Sequence, residues 1–278
     1  MSWAVIARRE FRDAVQSRVV WGVVALVAVM VAVTSMVPLA IPAFDANVLS
    51  GLGAATEFAA MLVPIVALVA AYLSIAGERE SGSIRILLGL EPRRGTVVLG
   101  KFLGRAAVVV VGLVAGFALA AIPTAIAYGG LPVVAFAGIV ALTCALGVAF
   151  VGIAVGVSAA AATRGRAMTL GIAAYLALAL LWDLVPQGAH LVVEGAAPAG
   201  TVPGWFVLVQ GLSPSGAYGA LVQAVVHATD DSFPGIAGAV ADGSPAYLHW
   251  SVFAVVLAAW TALPLLAGYA TFARSDLG

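Results

Sequence analysis

Charged side chains are scarce in this chain: they make up 9% of its 278 residues, whereas apolar residues make up 63%. Soluble domains carry about 25% charged residues, and so few charges could not cover the surface of a water-soluble fold of this size. A lipid bilayer is the solvent that accounts for such a composition. The formal net charge is zero, and we expect membrane lipid, not nucleic acid, as a partner. The sequence therefore predicts an integral membrane protein.

The chain also lacks the residues of common catalytic and metal sites. Its single cysteine, Cys144, excludes an intramolecular disulfide and a multi-cysteine metal site. Neither a His-Glu-x-x-His nor a Gly-x-Ser-x-Gly signature occurs. His190, His227 and His249 do not have the spacing of metal ligands, and surface or interfacial histidines are the interpretation that we favour over a copper site. We expect no catalytic residue, no metal site and no cofactor on this chain.

One segment imitates a nucleotide-binding motif. Residues 95–101 fit the first seven positions of a P-loop, Gly-x-x-x-x-Gly-Lys. The eighth residue is Phe102, not the serine or threonine that would hold magnesium. No strand is predicted before it and an apolar run follows it, so we interpret the likeness as coincidence and expect no ATP site here.

Long charge-free runs are abundant, and about 20 apolar residues suffice to cross a bilayer. They predict an all-α, polytopic membrane protein, a single domain over residues 1–278. Its six spans are expected at residues 19–41, 58–76, 103–127, 132–160, 167–185 and 248–272. Pro186 is expected to end the fifth span. Within a large outer loop at 186–247, residues 205–212 and 217–229 are too short to cross, and we expect them to lie on the outer leaflet or dip into it.

The basic residues fall on one side of this six-span arrangement. The loops at residues 42–57, 128–131 and 186–247 hold no lysine or arginine. Their charged residues are all acidic. Because cytoplasmic loops carry the excess of basic residues, the pattern predicts that both termini are cytoplasmic. The expected location is the cell membrane, with several crossings.

The first 18 residues have the pattern of an amphipathic helix. Trp3, Ala7, Phe11 and Val15 recur at helical spacing, and Arg8, Arg9 and Arg12 face elsewhere, with Arg18 at the end. Two interpretations are compatible with this pattern: an interfacial elbow helix that leads into span one, or a basic flank that only sets orientation.

A second amphipathic segment follows span two. Ser81 is positioned to cap a short helix that Pro92 would end, and Ile84, Leu87 and Leu88 lie on one face at helical spacing. This helix either rests on lipid headgroups or docks a soluble partner.

Two pairs of glycines occur four residues apart in apolar runs. Gly112 and Gly116 belong to predicted span three, and Gly152 and Gly156 to span four. Small residues at this spacing allow close helix packing, and packing within the chain is favoured over a dimer interface.

The segment after span two resembles the corresponding loop in ABC transporter permeases of the type-2 export family. The matching residues are Glu78, Glu80, Gly82, Ser83, Leu87, Leu88, Pro92, Arg94, Gly100 and Lys101. Serine stands at position 83, where threonine is usual. The N-terminal segment 7–18 and Leu212-Ser213-Pro214 resemble the same family more loosely, and the six-span arrangement agrees with it along the whole chain.

This resemblance implies a dimer of permeases with two cytosolic ATPase subunits, which would hold the ATP and magnesium. The loop would be a coupling helix that transmits nucleotide-driven motion to the spans. The residues expected to couple to the ATPase are Glu78, Glu80, Ser81, Gly82, Ser83, Ile84, Arg85, Leu87, Leu88, Pro92, Arg93, Arg94 and Lys101. Those expected in the elbow helix are Trp3, Arg8, Arg9, Phe11, Arg12 and Arg18.

Within this family, the N-terminal helix, Pro64 and residues 100–104 are similar to the permeases of nitrous-oxide-reductase maturation systems. That likeness implies export linked to maturation of a copper enzyme. A non-transporting assembly subunit and an intramembrane enzyme stay open as alternatives. The cargo is also open: lipid, drug, peptide, sodium, or a sulfur or copper species.

Overall fold

The computed structural model describes residues 3–16, 18–41, 47–90, 93–230, 235–241, 243 and 245–275. Throughout these residues the fold is helical, apart from one isolated β-bridge between Val202 and Val240. The first helices in chain order are α1 (Trp3–Val15), α2 (Arg18–Ser35), α3 (Val37–Ala40), α4 (Val48–Ala71), α5 (Ala76–Glu80), α6 (Ser83–Leu90) and α7 (Arg94–Tyr128). They are followed by α8 (Val133–Ala160), α9 (Arg164–Tyr175), α10 (Leu184–Glu194), α11 (Gly204–Gln210), α12 (Pro214–Thr229), α13 (Gly235–Ala239) and α14 (Trp250–Arg274).

Four helical stretches in the described part of the chain are long and apolar enough to cross a membrane: Val48–Glu80, Arg94–Tyr128, Val133–Ala160 and Trp250–Arg274. A fifth arises if Arg164–Leu180 and Leu184–Glu194, which meet at a 47° bend, form one broken span. The apolar helical stretch Val24–Ala40, at the place of predicted span one, is shorter. The prediction of a membrane protein built from helices is confirmed, and α8 and α14 begin and end within two residues of predicted spans four and six.

The predicted starts of the helices of spans two and three are wrong, because charge was used to place them. Helix α4 begins ten residues before the predicted start of span two, where the Asn47 side chain accepts a hydrogen bond of 2.8 Å from the Ser50 amide. Glu57 therefore lies inside the helix, since a single carboxylate does not interrupt its backbone hydrogen bonds. Helix α7 begins at Arg94, nine residues before the predicted start of span three. It ends at Tyr128, and the next residue, Gly129, has a left-handed φ of 71°.

The predicted end of span five at Pro186 is also wrong. Helix α9 continues as a π-helical segment, Leu176–Leu180, and the break falls after it. Pro186 is instead the third residue of α10. Proline is tolerated there because the first four amides of a helix have no partner within the helix.

The long helices pack through glycines, as predicted for contacts within the chain. On α8, Gly152 and Gly156 lie against the backbone of Thr261 and Pro264 of α14. On α7, Gly116 lies against Val27 of α2. The absence of a side chain at these positions lets the helix backbones approach closely.

Helices α11 and α12 form a hairpin that dips into the bundle. Val202 and Gly204 lie near Val240 and Tyr247, at the level where α14 begins. The turn is much deeper: the Trp260 indole donates to the carbonyl of Leu212 at 2.8 Å. Trp260 is ten residues into α14, or about 15 Å along its axis. This contact with the middle of α14 favours the dipping arrangement of the two that the sequence left open for this region.

The two ends of the bundle differ in charge, and we name them by it. The basic end contains α1, α5, α6, the starts of α7 and α9, and the end of α14. The acidic end contains the start of α4, the turn between α7 and α8, the end of α10, both ends of the α11–α12 hairpin and the start of α14.

Candidate functional site

Helices α5 and α6 form the segment in which the sequence predicted a coupling helix. The Ser158 hydroxyl of α8 accepts hydrogen bonds of 3.0 Å from the amides of both Ile75 and Ala76. These two amides have no acceptor within α5 because they lie at its start. A buried serine of one long helix therefore fixes where the segment leaves the bundle.

The short helix predicted to follow Ser81 is α6, but it begins at Ser83, and a separate helix, α5, precedes it. Gly82 has a left-handed φ of 76°, which turns the chain between α5 and α6. Ser81 is the residue that ends α5, and its hydroxyl donates to the carbonyl of Glu78 at 3.2 Å. Helix α6 begins at Ser83, whose hydroxyl lies 3.0 Å from that of Ser81.

Four charged side chains join this segment to the N-terminal helix and to α7. The Lys101 ammonium group is 2.7 Å from the carboxylate of Glu78 and 2.8 Å from that of Glu10. Arg105 lies 2.8 Å from the other oxygen of Glu10. We call these residues the ion-pair cluster: Glu10, Glu78, Lys101 and Arg105. Two acids face two bases, so the cluster is electrically neutral.

Burial and the charges of the cluster shift the pKa of Glu10 in opposite directions. Burial acts to raise the pKa of the Glu10 carboxyl, but attraction by Lys101 and then Arg105 lowers it, and the net pKa lies below its usual range. The attraction of its two partners therefore favours the ionised form of Glu10, and α1 is held to α7 by charge as well as by packing.

The packing of α1 on α7 differs from the predicted amphipathic face. The helix itself is confirmed, but the side that meets α7 is formed by Ile6, Ala7 and Glu10, which lie against Gly100 and Gly104. Trp3 is 48% exposed. Arg8, Arg9 and Arg12 are exposed, as expected for a polar face, and Phe11 is half-buried.

Two arginines of the predicted site contact the ends of other helices. The guanidinium group of Arg94 donates to the carbonyls of Phe272, Ala273 and Ser275 at the end of α14. Free carbonyls at a helix C-terminus are a natural site for a cation. Arg79, which the sequence did not single out, donates to the carbonyl of Ala161 at 3.1 Å, and both arginines lie over the Phe272 ring.

Glu80 contacts the start of α9. Its carboxylate accepts a hydrogen bond of 2.7 Å from the Arg164 amide, and the Arg164 side chain is 3.9 Å away. A carboxylate at a helix N-terminus is stabilised by the unpaired amides and by the helix dipole. The segment α5–α6 is thus connected directly or through α7 to α1, α8, α9 and α14.

The remaining predicted residues differ in how exposed they are. Ile84 is 1% exposed and belongs to the hydrophobic core of the permease chain itself, so it does not form part of an open docking face. Ser81, Ser83 and Arg93 are exposed, and Gly82 and Leu88 are half-buried. The side chains of Arg18, Arg85 and Leu87 and the whole of Pro92 lie outside the described residues.

Sequence reasoning missed Glu10, Arg79, Arg105, Arg164 and Ser158 as members of this site. Glu10 stands within a run of arginines, and an acid in a basic segment was the signal that could have suggested pairing. Residues 95–101, which resemble a P-loop in sequence, lie in the continuous helix α7. The Lys101 ammonium group is paired with two carboxylates.

Comparison with known proteins agrees with this architecture. Helices long and apolar enough to cross a membrane define a helical integral membrane protein. The family model described as ABC-2 family transporter protein matches residues 4–277. The chain belongs to this family, and it is an ABC-2 type permease.

Two relatives are permeases of the same kind. The chain is 28% identical over 283 residues to the probable ABC transporter permease protein NosY of Stutzerimonas stutzeri, with 97% of each chain aligned. It is 26% identical over 231 residues to the probable ABC transporter permease protein NosY of Pseudomonas aeruginosa, with 80% of this chain and 79% of the relative aligned.

Proposed function

We propose that this chain is the membrane subunit of an ABC transporter, and that a separate cytosolic ATPase subunit docks on the segment α5–α6 and drives it. The supporting observation is the ion-pair cluster. Through Lys101, the segment is bonded to α1 and α7 at 2.7–2.8 Å. Force applied to α6 would therefore reach the long helices without crossing a flexible linker.

The nucleotide and its magnesium would be bound by the ATPase subunit. In this chain the segment that imitates a P-loop lies within helix α7, and its lysine, Lys101, is already paired with the carboxylates of Glu10 and Glu78. The permease itself would then have no catalytic role and would convert the partner's motion into movement of cargo.

The proposed placement has six spans in the cell membrane, with the basic end in the cytoplasm. The distribution of lysine and arginine supports this orientation. It also places α6 where a cytosolic ATPase could reach it, and it places the exposed Trp3 of α1 at the height of the lipid headgroups, where aromatic side chains are favoured.

A second copy of the permease would cover the face of α4 and α10 that carries Glu57 and Asp183. Both carboxylates are exposed in the single chain, although Glu57 lies well inside a membrane-spanning helix. Charged groups in membrane proteins face the protein interior or a water-filled cavity, because contact with lipid tails is costly. Two copies meeting here would enclose the carboxylates in a shared vestibule.

We further propose that the transporter serves maturation of a copper enzyme, the role implied by the likeness to nitrous-oxide-reductase maturation permeases. Loss of nitrous oxide reductase activity in a strain without this gene would agree with this role. Full activity in that strain would contradict it and would leave the general permease function intact.

The decisive experiment is recovery of the proposed cytosolic ATPase subunit by the tagged, full-length permease. Two variants alter α6: Leu87→Asp, which places a charge on the predicted apolar stripe, and Gly89→Trp. A side chain added at Gly89 meets no described atom within 4 Å, so the permease should tolerate it while the docking partner should not. Gly130→Trp is the matched control, since Gly130 is equally open but lies in the turn between α7 and α8, at the acidic end.

We expect wild type and Gly130→Trp to recover the ATPase equally. Leu87→Asp and Gly89→Trp should recover about tenfold less, because losing one buried leucine costs roughly 1.5–3 kcal/mol. Equal recovery by all four proteins at equal expression would show that α6 does not dock the ATPase. No recovery by the wild type would favour a non-transporting assembly subunit.

A further inference from the structure

The hairpin α11–α12 borders a cavity that differs in chemistry from two other cavities of the structure. It has a volume of about 450 Å³ and lies between α4, the π-helical segment and the hairpin. Two further cavities, of about 630 Å³ and about 320 Å³, are lined almost entirely by apolar side chains. This one has a polar wall formed by Glu57, Asp183, Gln210, Ser215 and Gln223. We call it the acidic cavity.

The carboxylates of the acidic cavity lie within the membrane-spanning depth of the bundle. Gly51 of α4 lies against the Tyr128 hydroxyl, at the turn where α7 ends. Glu57 is six residues further along α4, or about 9 Å deeper. Asp183 accepts a hydrogen bond of 3.4 Å from Gln210, which stands at the bottom of the dipping hairpin. Neither carboxylate has a basic partner among the described residues.

The charge of the acidic cavity is entirely negative. No lysine, arginine or histidine contributes to its wall, and the loops at residues 42–57, 128–131 and 186–247 hold no lysine or arginine either. Carboxylates in a low-dielectric cleft attract cations and repel anions. An ionisable group within the membrane indicates a functional site whose partner has to be found.

Size and lining narrow the class of cation. The volume is within the range of about 300–1,000 Å³ that holds small organic ligands. Met61, Leu178 and Val207 supply apolar wall, and Trp182 supplies an aromatic ring, which attracts organic cations. No group of three or more metal-ligating side chains occurs in the described residues, so the cavity is better suited to an organic cation than to a bare metal ion.

We propose that the acidic cavity is a binding site for partly apolar organic cations, such as quaternary ammonium or phosphonium ions, and that it excludes anions. Glu57 and Asp183 provide the charge, and the apolar wall provides desolvation. This inference deepens the proposed permease function, since the ligand of such a cavity would be cargo of the permease; it does not extend to the copper-enzyme role, which would call for a sulfur or copper species. The favoured cargo is then a positively charged amphiphile, and an anionic sulfur species is excluded as cargo.

Tetraphenylphosphonium and tetraphenylborate test the proposal, because they have nearly the same shape and opposite charge. Displaceable binding of each radiolabelled ion is measured on the purified full-length permease at fixed detergent concentration. The variants are Glu57→Gln, Asp183→Asn and the pair combined. Glu194→Gln is the control, because it removes an exposed acid from the acidic end without touching the cavity wall.

We expect saturable binding of tetraphenylphosphonium by the wild type and by Glu194→Gln, with an affinity that falls about tenfold in each cavity variant. Tetraphenylborate should show no saturable binding. Unchanged affinity in the combined variant, or saturable binding of both ions, would overturn the proposal. Recovery of the ATPase subunit by the same variants is measured separately. Normal ATPase recovery without phosphonium binding would contradict only this inference. Loss of ATPase recovery by the wild type would contradict the proposed permease function.

Discussion

The ammonium group of Lys101, whose side chain is 1% exposed, lies 2.7 Å from the carboxylate of Glu78, 23 positions earlier in the chain. A buried charge is costly unless it is paired and hydrogen-bonded. Here Glu10 supplies a second carboxylate and Arg105 a second base. The result is a neutral cluster in which each member depends on the others, at the point where the segment α5–α6 meets the membrane helices.

Replacing the buried lysine should destabilise the permease far more than breaking an exposed ion pair. Lys101→Met leaves Glu10 and Glu78 facing each other without the central cation, and removing one partner of a buried pair costs about 3–5 kcal/mol. Arg9→Met is the control. Arg9 and Asp13 both lie on α1, and their side chains are 74% and 68% exposed. Such exposed pairs contribute about 0–1 kcal/mol. Thermal unfolding in detergent measures both, and equal melting temperatures would contradict a structural role for the cluster.

Acid should release α1 from α7 through Glu10. The pKa of Glu10 is lowered in the folded protein, so its stabilising contribution is complete above the unfolded value and is lost as the pH falls through the folded value. Glu10→Gln should therefore unfold at lower temperature than wild type at neutral pH. The difference should shrink as the pH drops below the usual range for glutamate. A difference that is the same at neutral and acidic pH would mean that charge is not what the glutamate contributes.

The helices were predictable and several of their boundaries were not, for a physical reason. Apolar runs as long as those of α8 and α14 can only be buried or cross a membrane, so composition alone locates them. A charge does not end a helix, however, and Glu57 lies inside α4. The dip of the α11–α12 hairpin was also beyond the sequence, because it depends on a contact between Leu212 and Trp260 across 48 positions.

The candidate site was predictable only as a segment. The motif after span two identified Glu78, Glu80, Arg94 and Lys101 as important, and each of them makes a specific contact. Their partners come from distant parts of the chain, and no local pattern indicates which acid meets which base. For the same reason the sequence predicted an open docking stripe that included Ile84, whereas tertiary packing buries that residue.

The tight contact between α8 and α14 should not tolerate a single added methyl group. A Cβ atom on Gly156 would meet the backbone carbonyl of Pro264, which cannot move as a flexible side chain can. Overpacking of this kind costs typically about 1–3 kcal/mol. Gly156→Ala should lower the thermal stability accordingly.

Gly53→Ala is the matched control for this change. A Cβ atom there meets nothing within 4 Å, and alanine is favoured over glycine in a helix by up to about 1 kcal/mol. We expect the control to be as stable as wild type or slightly more stable. Equal behaviour of the two variants would indicate that α8 and α14 are not packed closely.

Labelling of introduced cysteines should place the two ends of the bundle on opposite sides of the membrane. Cys144→Ala removes the one native thiol. Ser81→Cys then tests the basic end and Glu194→Cys tests the acidic end, at two residues whose side chains are exposed. Because basic residues are retained in the cytoplasm, a membrane-impermeant maleimide added to intact cells should label position 194. Position 81 should be labelled only after the cells are opened. Labelling of both positions in intact cells would contradict the proposed orientation, and it would also remove α6 from the reach of a cytosolic ATPase, since that helix begins two residues after position 81.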